Sequence, residues 1–415
     1  MASLRRIHDI LVVLSGDKFI AFSNGQEEEI QIPSAPKEQK DNEQLKSTEA
    51  ADGKNDSKNC VLASCFSESG KYFAIGDDQK QLHVYKVSPK WELVSSRPVA
   101  RRCTAIAFPS NQKEVVVADR TGDVYKYSLI DTDSKGELIL GHLSMVLDVM
   151  VTKDDRYILT CDRDEKIRIS YYPNAYNIHA FCLFHTEYVS QVLYINKYDY
   201  FISGSGDGRL ATWNVNGENL SSYDLVKGQS EGQVLKGEGD SKGQGQEDDT
   251  CNGVKKMVYD GELNVLAVIF HRSKLLSLYS LDSQENGRKI TECCNDSLTE
   301  EPWDICFDEG QRLWVVLPCE QTPVIVYNCS RDETGTICMS ETITEKSVLK
   351  IRSSLCNNWA FFKASIECQP QFISLQKIRD FDNVKQYLEK KEERISAQKI
   401  KNTNNQPPPK KVKTS

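Results

Sequence analysis

Apolar residues in this chain come in short alternating runs separated by polar turns. Period-two alternation over four to eight residues marks half-buried β-strands. Four stretches align with one another: CVLASCFSESGKYFAIGDDQKQLHVY, CTAIAFPSNQKEVVVADRTGDVYKY, MVLDVMVTKDDRYILTCDRDEKIRIS and YVSQVLYINKYDYFISGSGDGRLATW. Each reads as an alternating run, a polar turn, a second apolar run, a turn holding an acid, and a third alternating run, which predicts three antiparallel strands. Their last residues, Tyr85, Tyr127, Ser170 and Trp213, are about 42 to 43 residues apart. Two looser units, KKMVYDGELNVLAVIFHRSKLLSLY and PWDICFDEGQRLWVVLPCEQTPVIVY, end at Tyr279 and Tyr327.

A repeat of this period predicts an all-β, seven-bladed WD-repeat β-propeller over residues 1–378. Six units do not use up the chain; seven blades is the count this reading favours, with six or eight as the alternatives. The strands around Ile10–Leu14 and Phe19–Phe22 are expected to share the seventh blade with strands from Cys356–Leu375, which holds Trp359, Phe361 and Phe362. Joining both ends of the chain in one blade would close the ring and remove exposed sheet edges. Polar tracts at about 36–58 and 228–249 cannot pack a core and are expected to be disordered loop inserts. One unit carries a full WD hydrogen-bond tetrad: His185, Ser203 in the second strand, Asp207 in the turn and Trp213 in the third strand. A buried polar network of this kind is tolerable only when every member is paired.

Composition narrows the function classes. Hydrophobic residues make up 39% of the 415 and charged residues 27%, as in soluble globular proteins. No run approaches the roughly 18 apolar residues that span a bilayer, so no membrane partner is expected. The N-terminal apolar core, Ile10–Leu14, is short and flanked by charge, so it reads as a strand and not a targeting segment. Fourteen irregularly spaced cysteines without a CxxC pair read as reduced thiols filling the core. The net charge of −8 argues against strong nucleic-acid binding by this chain alone, although the stretch from Lys385 onward is basic.

A search for chemistry finds none. GSGDG at 204–208 resembles a phosphate loop, but its glycines lead into a strand and not a helix, so they mark a hairpin. The six histidines show no metal-ligand spacing, so no metal site is expected. The pairs Asp77–Asp78 and Asp154–Asp155 sit where blade turns place acids. A hydrolase reading of Ser203, His185 and Asp207 would need the serine on an exposed elbow, whereas the pattern puts it inside a strand. No catalytic residue is assigned.

One turn stands apart. Asp162-Arg163-Asp164-Glu165-Lys166-Ile167-Arg168 packs six charges around one apolar residue, and alternation points Arg168 along the same side as Lys166. Together with GHLSM, DDRYILTCDRDEKIR, ARRCTA at 100–105, HTEYVS at 185–190 and FDNVKQYLEKKEER at 381–394, it resembles the WD-repeat non-catalytic subunit of the eukaryotic tRNA (guanine-N7) methyltransferase. The resemblance implies a heterodimer with a separate catalytic subunit that binds S-adenosylmethionine and methylates a guanine in the tRNA variable loop. This chain would stabilise that subunit, help to place the tRNA and carry no cofactor of its own. It further implies that Glu165 and Arg168, with Asp164 and Lys166 as neighbours, form the subunit contact, Arg168 reaching the surface to meet an acid with paired N–H bonds. The competing reading is an interaction hub such as a ubiquitin-ligase substrate receptor. Those often end a blade in WDxR, where this chain has Trp213-Asn214-Val215-Asn216.

Beyond the ring the period changes. Phe381, Val384, Leu388 and Ile395 form one stripe, which predicts an amphipathic helix over 379–402. Lys385, Lys390, Lys391 and Arg394 on its polar side suit contact with RNA or the partner, and a plain surface helix fits equally. The end, residues 403–415, reads as a disordered tail in which Lys410, Lys411 and Lys413 behind a proline run suit a nuclear import signal, placing the protein in the nucleus with the cytoplasm as a second compartment.

Overall fold

In a computed structural model, the described residues are 2–34, 60–231, 253–281, 289–342, 344–367 and 375. They form seven antiparallel sheets in sequence order: residues 3–31, 61–98, 103–141, 146–182, 189–231, 254–297 and 304–341. Each has four strands, except the fifth, which gains Gln229–Glu231 beside Asn219–Asp224. That short strand lies inside the span 228–249 expected to be a disordered insert and corrects the expectation for its first residues. The rest of that insert, the 36–58 insert, the 379–402 helix and the 403–415 tail lie outside the described residues.

The first strands of successive sheets touch one another around a circle, and Asp304–Phe307 of the seventh meets Ser3–Ile7 of the first. The molecule is a seven-bladed propeller. Its hydrophobic core is divided among the seams between blades: Phe19, Phe73 and Tyr85 fill the first, for example, and Leu159, Val192 and Trp213 the fourth. Alternation produces this arrangement, because both faces of every blade are buried against a neighbour and only strand ends and outer edges meet water.

Polar stitches cross the seams near the channel. A register shift after the first residue of the inner strand turns one side chain towards the next blade. Asp148 Oδ2 accepts from Val192 N–H at 3.0 Å, Gln191 Oε1 from Met257 N–H at 2.7 Å, and Asp304 Oδ2 from Leu4 N–H at 3.0 Å.

The closure differs from the expectation. The first blade is complete with N-terminal strands alone, and the segment from residue 346 is helical. Helices α1 (Lys346–Asn357) and α2 (Ala360–Glu367) close the seam between blades seven and one from outside. Val348, Leu355, Phe361 and Phe362 enter the cluster of Leu4, Leu11, Val13 and Trp314, with Trp303 and Trp359 against it. Along α1, Ser354 donates to Glu27 at 2.6 Å and Asn358 to Glu29 at 3.4 Å. α2 lies on the turn at Gly16, where Ser15 Oγ donates to the Phe361 carbonyl at 2.8 Å. The physical reason is that Val348, Ile351 and Leu355 follow helical spacing, so the aromatics around Trp359 reach the seam from helices and not from strands.

Candidate docking face

One face of the ring is built from the turns joining second to third strands and the loops that lead into each blade. The two are bonded in register: Asp78 N–H to Cys60 O at 2.9 Å, Arg120 to Arg102 at 3.2 Å, Arg163 to Met145 at 2.9 Å and Gly206 to Tyr188 at 2.8 Å. In the fifth blade the expected tetrad residues are brought together. His185 Nδ1–H donates to Asp207 Oδ2 at 3.0 Å, the Ser203 hydroxyl donates to Nε2 at 2.8 Å, and the Trp213 indole donates to Ser203 Oγ at 2.8 Å. Asp207 accepts only, so it fixes this tautomer. Burial would raise the Asp207 carboxyl, but hydrogen bonding from His185 and the Thr186 amide holds it below the ordinary range. Ser203 is 0% exposed, so its hydroxyl cannot act as a nucleophile and the network is a structural clamp.

Blade four carries a second clamp that the sequence reading missed. His142 Nδ1 bonds Asp162 at 2.9 Å and Nε2 bonds Thr160 at 2.7 Å. The signal was present in Gly141-His142, one strand before Asp162. Asp162 Oδ1 also accepts from the amides of Asp164 at 2.9 Å and Lys166 at 3.0 Å, and Glu165 takes the left-handed conformation with φ 73°. Burial opposes the Asp162 charge, and the His142 and Lys166 hydrogen bonds more than offset it, holding the carboxyl low. The charged turn is thereby presented in one fixed shape. Lys166 is exposed and donates to the Asp164 carbonyl at 3.0 Å. The Arg163 guanidinium and Asp164 carboxylate have no side-chain partner among the described residues.

Arg168 does not belong to that surface. It is 8% exposed, in the strand Ile167–Tyr171, and donates to Ser170 Oγ at 2.9 Å, to the Gly141 carbonyl of blade three at 3.0 Å and to the Ala175 carbonyl at 2.9 Å. With Ser170 where a WD unit has Trp, the guanidinium occupies the interior of the seam. Its expected surface role is corrected: alternation does not carry over from Lys166, because Lys166 is in the turn and the strand begins at Ile167.

Cations from neighbouring blades extend this face. Arg101 and Lys80 are exposed, Arg120 is half-buried, and Arg102 Nε donates to the Asp78 carbonyl at 3.1 Å. These were not singled out from sequence, although the Arg101–Arg102 pair precedes the inner strand of blade three. The acid pairs are structural: Asp77 bonds His83 at 3.1 Å, and Asp155 caps the amides of Ser110 at 2.7 Å and Asn111 at 2.9 Å. The 204–208 glycines form a hairpin, where a Cβ on Gly206 would lie 2.3 Å from Tyr188. Twelve described cysteines are free thiols, and no metal-holding group occurs among the described residues. Lys385, Lys390, Lys391, Arg394, Lys410, Lys411 and Lys413 lie outside the described residues.

Comparison with known proteins adds the family. The profile described as tRNA methyltransferase TRM82 WD40 domain matches residues 20–137 and 131–324. The tRNA (guanine-N(7)-)-methyltransferase non-catalytic subunit wdr4 of Danio rerio is 38% identical over 85% of this chain and 82% of its own length. The Homo sapiens protein of the same description is 34% identical over 92% and 88%. Among solved structures, a chain of the mitotic checkpoint complex superposes with TM-score 0.57 at 11% identity, covering 76% of this chain and 86% of that one. The U3-55K structure gives 0.57 at 16% identity, covering 76% and 87%. These structures share the fold alone, whereas the sequence matches run through the blades that carry the clamps and the charged turn. The chain therefore belongs to the family of tRNA (guanine-N7)-methyltransferase non-catalytic subunits.

Proposed function

We propose that this chain pairs with a separate catalytic subunit in a heterodimer, holds that subunit in its active form and helps to place tRNA for N7-methylguanosine formation in the variable loop. S-adenosylmethionine belongs to the partner, and this chain takes no cofactor. The supporting observation is the turn Asp162–Ile167, whose backbone is locked by Asp162 while Arg163 and Asp164 offer unpaired charges of both signs. Such a surface favours one orientation of a partner with complementary charges and adds little non-specific RNA affinity. The cations of blades two and three beside it suit the phosphate backbone of a tRNA already held by the catalytic subunit. Residence in the nucleus is part of the same reading and rests on the tail lysines.

The test is a titration of the catalytic subunit against the double variant Arg163→Glu, Glu165→Lys. Affinity should fall on the order of 10- to 100-fold, with N7-methylation falling in parallel. The melting temperature of the variant alone should stay within about a degree of wild type, because neither side chain packs in a seam. Wild-type affinity would place the docking face elsewhere.

A further inference from the structure

We propose that the central channel binds a small oxyanion, a phosphate or a carboxylate, clasped by Lys256, Arg5 and Gln191. This goes beyond the docking reading and concerns a different surface. Between the inner strands of blades one, five, six and seven lies a cavity of about 290 Å³. Arg5, Arg6 and Lys256 line it, and no carboxylate does.

A count of donors and acceptors gives the sign of a ligand that would fit this space. The nearest acids of the ring are already occupied. Asp304 accepts from Leu4 N–H at 3.0 Å, Arg5 at 2.8 Å and Ile305 N–H at 2.9 Å. Asp148 accepts from Val149 N–H at 2.9 Å and Val192 N–H at 3.0 Å. The donors are in surplus. The Lys256 ammonium has neither an ion pair nor a hydrogen bond among the described residues. Gln191 uses its carbonyl oxygen on Met257 N–H at 2.7 Å, which leaves its NH2 without an acceptor there. Arg5 spends Nε on the Ser64 carbonyl at 2.8 Å and one terminal nitrogen on Leu4 and Asp304, leaving the other. Arg6, which also lines the cavity, has its ion-pair partner in Asp308 at 3.8 Å and is left out of this count.

Lys256, Gln191 and Arg5 are half-buried, so three donors converge on a partly sheltered space with no carboxylate in its lining, which suits acceptor oxygens. A guanidinium, an ammonium and an amide around one space suit a group with several such oxygens, through charge-assisted bonds. The volume equals roughly ten water molecules of liquid, enough for phosphate and part of its shell. Burial holds the Lys256 ammonium below its ordinary range, with Asp304 opposing, and a bound anion would relieve that penalty. Bound there, the oxyanion would bridge blades five, six and one across the seventh.

The test uses the full chain with inorganic phosphate, acetate and sodium chloride at matched ionic strength, read by thermal melting and by phosphorus NMR line width. Phosphate at millimolar concentration should raise the melting temperature above the chloride control and broaden the phosphate line. Lys256→Met should weaken both effects at least tenfold, yet melt no lower than wild type without phosphate, because its ammonium is unpaired. Lys256→Arg should retain binding. A stronger response to acetate than to phosphate would identify a carboxylate as the ligand. No response beyond chloride, or a Lys256→Met response equal to wild type, overturns the proposal. Should Lys256→Met not fold, Lys256→Gln is read in its place.

Discussion

A guanidinium that donates to three acceptors inside a blade seam cannot give way to an aliphatic side chain without orphaning them. Arg168→Leu leaves the Gly141 and Ala175 carbonyls unpaired. It should destabilise the free chain by about 2–4 kcal/mol, seen as a melting point several degrees lower before any partner is added. A variant that melts like wild type would remove the anchoring role. Asp148 makes a second residue-scale case. Burial raises its carboxyl to about 6, against hydrogen bonds from Val192 and Val149 that lower it. An unfolded aspartate titrates near 4, so between about 4 and 6 the folded chain holds a proton that the unfolded chain has lost. Stability from this group therefore falls as pH rises through that window, and the penalty is complete above about 6. Asp148→Asn keeps an acceptor for Val192 N–H without the charge. Its melting temperature relative to wild type should be more favourable at pH 7.5 than at pH 4.5. An equal difference at both values would mean the carboxyl is not perturbed. The His185–Asp207–Ser203–Trp213 clamp was readable at this scale because its residue types recur at fixed places in the unit. Arg168 was not, because burial of a cation depends on carbonyls from Gly141 and Ala175 that no side-chain pattern announces.

At the scale of elements, alternation is enough to give three strands in each of six blades, whereas the helical spacing at Val348, Ile351 and Leu355 is masked by the aromatics that follow it. The fourth strands were also harder to read, since outer strands such as Gln26–Gln31 are mostly polar and exposed and carry no apolar signature. The seating of α2 on blade one can be probed with two glycines that both have positive φ. Gly16 has φ 59°, and a Cβ there would lie 2.5 Å from Ala364 Cβ; Gly25 has φ 72° and open space around it. Gly25→Ala should cost only about 1 kcal/mol of backbone strain. Gly16→Ala should cost more and should speed hydrogen exchange in residues 346–367 while the blade strands stay protected. Equal costs would mean that α2 does not press on that turn.

For the molecule as a whole, the period of 42 to 43 residues was enough to give the ring, because a repeated unit that cannot bury both faces alone must stack on its copies. The way the ring closes was not legible, since it depends on contacts between residues some 300 positions apart, such as Leu4 with Asp304. At this scale, deleting residues 406–415 should shift a fluorescent fusion towards the cytoplasm with no change in the melting temperature of the chain. An unchanged nuclear signal would assign import to another segment or to the partner. The N-terminal blade has a consequence during synthesis. In a ring whose last strand completes its first sheet, the earliest segment to leave the ribosome would wait for the final one with an unpaired sheet edge exposed. Here residues 3–31 supply all four strands of the first sheet, so that sheet can form with its complete set of strands while the others are still being translated and need not wait for the last segment. A message ending prematurely after residue 343 would likewise encode seven whole sheets, without the two helices that fasten the last to the first and without everything that follows them.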